Sequence, residues 1–146
     1  MTSRPSLGHV HLEVTDLDRS IDFYRTHLAL EVRERTGRFA FLSWDDSHHD
    51  LALQEIDGVP KPSNAVGLYH VAFEVETEVI LASIYRGLRD DGVPVSPVDH
   101  GISRALYVSD PDGIGVEVYV DTRSSLDQRW DGRSKRFDPE TARVED

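Results

Sequence analysis

Three residues of this sequence have the types that redox or acid–base chemistry needs: His9, His70 and Glu117. Each histidine opens a segment of alternating character, His9-Val10-His11-Leu12-Glu13-Val14 and His70-Val71-Ala72-Phe73-Glu74-Val75. Glu117 interrupts an apolar one, Val116-Glu117-Val118-Tyr119-Val120. An acid in such a strand requires a partner, because a buried unpaired carboxylate costs several kcal/mol. Two neutral imidazoles and one carboxylate suit a divalent first-row metal. In a facial arrangement they leave adjacent positions open for substrate and dioxygen and favour non-haem Fe(II). For a single histidine, a hydrogen-bonded structural side chain is the simpler reading.

That simpler reading weakens because His9 and His70 occupy equivalent places in an internal repeat. At an offset of 61 residues His9 matches His70, Val10 matches Val71, Glu13 matches Glu74, Val14 matches Val75, and Tyr24-Arg25 matches Tyr85-Arg86. Each half opens with a strand of period two, followed by a helix. Asp16 is placed to cap the first helix, whose stripe is Leu17, Ile21, Tyr24 and Leu28. Leu81, Ile84, Tyr85 and Leu88 repeat the stripe, and Gly92 and Pro94 close it. Strands are expected around 30–35, 38–43 and 49–56, then around 95–97, 104–109 and 114–120, with Pro60, Pro62, Ser63 and Asn64 as the joint. The expected fold class is α+β, two βαβββ modules (about 6–58 and 67–121) forming one curved mixed sheet. Alternation puts Val10, Leu12, Val14, Val71, Phe73, Val75, Val116, Val118 and Val120 beneath the helices. His9, His70 and Glu117 then share the other, concave face.

Composition narrows the function classes. The 146 residues carry 16 Lys+Arg against 27 Asp+Glu, a formal charge of −11 that disfavours nucleic acid and anionic membrane surfaces. No apolar run exceeds four residues, which leaves no span for a bilayer, and the first residues lack the apolar stretch of a signal peptide. A cytoplasmic protein is expected. Cysteine is absent, which excludes disulfides, thiolate metal sites and cysteine nucleophiles, whereas seven histidines remain as ligands. The domain is expected over 1–122. Residues 123–146 form a polar tail of balanced charge with few apolar anchors, chiefly Leu126, Trp130 and Phe137, either wrapped on the body or partly disordered.

The run from His9 through Asp16-Leu17-Asp18-Arg19-Ser20 to Phe23-Tyr24 resembles the opening of vicinal oxygen chelate (glyoxalase/bleomycin-resistance/dioxygenase) proteins. Asp110-Pro111-Asp112-Gly113 with Glu117 is similar to their closing motif. A more discriminating segment runs from His100 through Leu106-Tyr107 and Asp110-Pro111-Asp112-Gly113 to Glu117. It resembles the signature of single-domain extradiol ring-cleavage dioxygenases, of the catechol 2,3-dioxygenase kind. Ser47-His48-His49-Asp50 is similar to their His-His segment.

The resemblance implies His9, His70 and Glu117 as iron ligands, His49 as the acid/base histidine, and Tyr107 and His100 as groups that hydrogen-bond substrate or ligand. It implies Fe(II), with Mn(II) or another divalent ion able to occupy the same donors, and a catecholic small-molecule substrate with O2. It also implies a homodimer or higher homo-oligomer. His48 and His11 read more simply as a surface neighbour and a rim residue, and His27 as a solvated residue at a helix end. Phe39, Phe41, Trp44, Tyr69 and Tyr119 can line the pocket or fill the core. Trp130 is expected to close the pocket or to sit at a subunit contact. Two rival functions share the fold: a glyoxalase-like lyase or isomerase, for which Glu55 would supply a further carboxylate, and a non-catalytic drug binder.

Overall fold

The computed structural model describes residues 3–141, and the chain divides between Ala65 and Val66 into two compact units. The first unit carries β1 (Val10–Val14), α1 (Leu17–Leu28), β2 (Glu31–Thr36), β3 (Phe39–Ser43) and β4 (Leu51–Glu55). The second carries β5 (Val71–Val75), α2 (Glu78–Asp90), β6 (Ser96–Asp99), β7 (Ser103–Ser109), β8 (Gly115–Asp121) and β9 (Lys135–Arg136). This is the α+β class, βαβββ twice. The expected sheet resolves into two hydrogen-bonded sheets, one per unit, ordered β1-β4-β3-β2 and β5-β8-β7-β6-β9. Each opening strand pairs in parallel with the last strand of its module, and the other pairs are antiparallel.

The 61-residue offset survives in the local structure: β1 and β5 begin at equivalent positions, as do α1 and α2. Their caps are equivalent too. The Asp16 carboxylate accepts the Arg19 N–H at 3.0 Å, and the Thr77 hydroxyl accepts the Ile80 N–H at 3.1 Å. Each satisfies a backbone donor that the helix itself leaves open, contributing about 1 kcal/mol. The stripe on α1 is buried throughout, Tyr24 and Leu17 almost completely. On α2, Leu81 and Leu88 are buried, while Ile84 and Tyr85 are only half-buried.

His27 departs from expectation. It is buried, with its ring 5.2 Å from that of Phe23, rather than solvated at the helix end. Helical spacing explains this: positions 20, 24 and 27 fall on the same face as Leu28, so the last-turn histidine follows the stripe inward.

The described part of the tail, residues 123–141, takes a definite place. Lys135 and Arg136 pair with Asp99 and Val98 as the edge strand of the second sheet. Arg86 meets Glu140 at 3.1 Å, and the Arg104 guanidinium lies over the Phe137 ring at 5.0 Å. Among the described residues no helix is long and apolar enough to cross a membrane.

Candidate active site

Glu117 owes its position to the turn before it. The Asp110 side chain, almost fully buried, accepts the N–H groups of Asp112 and Ile114, both at 2.9 Å. Gly113 completes the turn at φ +83°, a left-handed conformation that favours glycine. The motif is therefore a device that closes the β7–β8 hairpin and fixes its register. That register sets Glu117 opposite Tyr107 on β7 and opposite Ala72 on β5, while Val116, Val118 and Val120 are buried on the other face.

A line of hydrogen bonds runs through Glu117. The Tyr107 hydroxyl donates to Glu117 Oε1 at 3.0 Å, and His70 Nε2 lies 2.9 Å from Glu117 Oε2. On its other side Tyr107 Oη is 2.8 Å from His100 Nε2, and His100 Nδ1 is 2.7 Å from Ser134 Oγ. Burial first, and the Glu117 charge second, push the Tyr107 pKa well above its ordinary value, so the phenol stays protonated. Four residues expected at the site, His70, Glu117, Tyr107 and His100, thus form one connected group in the second unit. Ser134 is an addition that the sequence did not reveal.

Gly115 is a second addition. A Cβ at this position would fall well inside van der Waals contact of the Tyr69 carbonyl oxygen and 3.1 Å from His70 Cβ. The absent side chain lets the Tyr69–His70 backbone lie close to β8, which brings the His70 ring to Glu117. Behind that ring, Nδ1 is buried with no hydrogen-bond partner, so backbone packing and Glu117 orient it. Gly115→Ala is expected to lower unfolding stability by about 1–3 kcal/mol through overpacking and to separate His70 from Glu117. Urea midpoints and metal affinity measured on the same variant check both effects.

The other candidates lie in the first unit. His9 is exposed just before β1, and its ring centroid is 4.3 Å from that of His49. His49 is half-buried two residues before β4, so the strand starts later than its expected opening at 49. Burial first, then the His9 and His48 rings, hold the His49 pKa below that of free imidazole. His48 bridges His49 Nδ1 at 2.8 Å and Glu34 at 3.1 Å, whereas His11 meets Gln54 at 3.0 Å. Phe41 stands 5.0 Å from the His49 ring and Phe39 6.2 Å from that of His11, both half-buried, while Ala40 and Leu42 fill the core. The two phenylalanines therefore line the histidine face. Tyr69 and Trp44 are exposed, and Tyr119 donates to Glu74 at 2.9 Å. Glu55 accepts the Leu17 N–H at 2.9 Å at the start of α1.

His70 Nε2 and Glu117 Oε2 suit a shared cation. They are 2.9 Å apart, the length of an ordinary hydrogen bond, and an imidazole nitrogen beside a carboxylate oxygen is a donor pair that a divalent first-row ion accepts. Among the described residues no group of three or more His, Asp and Glu side chains is arranged to hold a metal ion.

Residues 6–118 match the model of the Glyoxalase/Bleomycin resistance protein/Dioxygenase superfamily. The chain belongs to this superfamily. Its relatives within the superfamily are named for more than one reaction. Biphenyl-2,3-diol 1,2-dioxygenase 2 of Rhodococcus globerulus is 33% identical over 131 residues, covering 88% of this chain and 69% of that protein. Lactoylglutathione lyase of Haemophilus influenzae is 32% identical over 130 residues, covering 80% and 93%. Among solved structures, a glyoxylase/bleomycin resistance protein/dioxygenase domain from Frankia sp. EAN1pec aligns with a TM-score of 0.71 at 26% identity, over 84% of this chain and 96% of that one.

Proposed function

We propose that this superfamily member is an Fe(II)-dependent extradiol dioxygenase that opens a catecholic ring with O2. The observation that carries the reading is the line His100–Tyr107–Glu117–His70, which joins a candidate ligand pair to a phenol and an imidazole. Similarity to a biphenyl-diol dioxygenase supports it. His70 and Glu117 would hold the metal, with His9, the repeat-equivalent of His70, as the third protein ligand. Mn(II) suits the same nitrogen and oxygen donors.

Bound Fe(II) would hold the diol oxygens and O2 in contact and pass electron density from ring to oxygen. The protein's own groups manage the protons. A catechol must lose protons to chelate through both oxygens, and His49, whose pKa lies below that of free imidazole, is the proposed base. Ring opening needs a proton returned, for which His49 is again the proposed donor. Tyr107, kept protonated and anchored on Glu117, is held at a fixed place beside the ligand pair.

The lyase reading would usually want a further carboxylate from the first module, for which Glu55, bonded to the Leu17 N–H at the start of α1, is the candidate. Loading the protein with Fe(II) under nitrogen, adding a panel of catechols and admitting air is expected to give a yellow ring-opened product. An iron-loaded protein that leaves every catechol intact would overturn the proposal. His49→Ala is expected to slow product formation roughly 10²–10⁴-fold, and full activity in that variant would remove His49 from the acid/base role.

A further inference from the structure

The tail carries a group to the site that neither the repeat nor the superfamily motif contains. Antiparallel pairing of β9 with β6 matches Val98 with Arg136 and Asp99 with Lys135. One step further along the same register, Ser134 faces His100, and its hydroxyl oxygen lies 2.7 Å from His100 Nδ1. Trp130 stands edge-on to the imidazole at 6.3 Å, and its indole N–H donates to the Arg133 carbonyl at 3.0 Å, closing the turn that delivers Ser134. Gly132 at φ +84° and the Arg133 N–H bonded to Asp131 at 2.9 Å complete that turn.

For a neutral His100 ring, the hydrogen-bond inventory constrains the protons from Glu117 to Ser134. Tyr107 has one hydroxyl proton, and it goes to the Glu117 carboxylate. Tyr107 Oη must therefore accept from His100, which requires a proton on His100 Nε2. A neutral imidazole with its proton on Nε2 has a bare Nδ1, and the group facing that nitrogen is the Ser134 hydroxyl, which can donate to it. We propose that Ser134 is a positioning residue: its O–H donates to His100 Nδ1, locks the Nε2–H tautomer, and so keeps the Tyr107 proton directed at Glu117. Without this donor, the Nδ1–H tautomer competes. His100 Nε2 would then become an acceptor, and the Tyr107 proton would be shared between His100 and Glu117. The assignment rests on the proposed function for its consequence in catalysis, but the tautomer itself does not.

The test is long-range proton–nitrogen NMR of the metal-free protein, with the His100 ring assigned by its loss in His100→Gln. Wild type is expected to show a protonated Nε2 and a bare Nδ1. Ser134→Ala is expected to move both nitrogens toward the average of two tautomers, and Ser134→Thr to restore the wild-type pattern. Amide exchange at Lys135 and Arg136 reports whether the strand stays paired in each variant. With Fe(II) and a turned-over catechol, Ser134→Ala is expected to lower kcat about tenfold with KM changed less than twofold, the signature of an interaction that matters in the transition state. A wild-type His100 protonated on Nδ1 overturns the proposal, as does a Ser134→Ala spectrum identical to wild type with the strand still paired. If no catechol is turned over, the functional reading falls while the tautomer measurement still decides the role of Ser134.

Discussion

Glu117→Ala is expected to abolish iron retention and to lower catechol turnover by more than 10²-fold, beyond the roughly 10–100-fold that losing a partner of a ligand costs. The carboxylate serves two neighbours, accepting from the Tyr107 hydroxyl at 3.0 Å and facing His70 Nε2 at 2.9 Å. Its removal takes one donor from the metal and the anchor from the phenol together. His70 and Tyr107 are only partly buried, so their freed polar atoms can turn to water and the fold should persist. Glu117→Gln separates the two effects, since the amide oxygen can still accept from Tyr107 while the charge is gone. Iron content after desalting and the rate at saturating catechol measure the outcome. Glu117→Ala that keeps its iron and turns over within tenfold of wild type would show that the carboxylate is no ligand.

The second large effect is on stability and lies beneath the same sheet. Arg104 reaches Glu78, in the first turn of α2, at 2.8 Å and Asp99, on β6, at 3.0 Å; all three side chains are between 11% and 13% exposed. Arg104→Ala takes the guanidinium from two nearly buried carboxylates and uncovers the Phe137 ring, so a loss of about 3 kcal/mol at neutral pH is expected.

The pH dependence gives this prediction its sign. Burial alone would raise the Asp99 pKa, but the Gly101 N–H and Arg104 together outweigh it, and the net shift is downward. A depressed folded pKa contributes stability that is present above the unfolded value and lost as pH falls through the folded one. The gap between wild type and Arg104→Ala should therefore be widest at neutral pH and narrow below about pH 4. Urea unfolding at both pH values measures it. An equal gap at both, or one under about 1 kcal/mol at neutral pH, would mean that the ion pairs are not what Arg104 contributes.

Much of this architecture is legible in the sequence because it repeats. The 61-residue offset marks both opening strands, and Asp16, read as a cap, occupies that place. Alternating valines assign the faces around Glu117 correctly because a strand has only two faces and one is buried. The features that escaped are those without period. A two-residue strand of Lys135 and Arg136 has no pattern to detect, so neither the added edge nor Ser134 was visible. The chemistry of His27 points to solvent, but its place on the helical stripe buries it. Gly115 does leave a signal, a glycine at the head of an apolar strand, which can mark a close approach of backbone. Its partner, the Tyr69–His70 segment, is far away in sequence and only the parallel β5–β8 register reveals it.

The most direct measurement is oxygen consumption by the Fe(II)-loaded protein in the presence of individual catechols. The proposed reaction consumes one O2 for each ring opened, releases no hydrogen peroxide, and is lost in Glu117→Ala. Iron-loaded protein that takes up no oxygen with any catechol, yet isomerises the hemithioacetal of glutathione, would contradict the account and return the chain to the lyases of its superfamily.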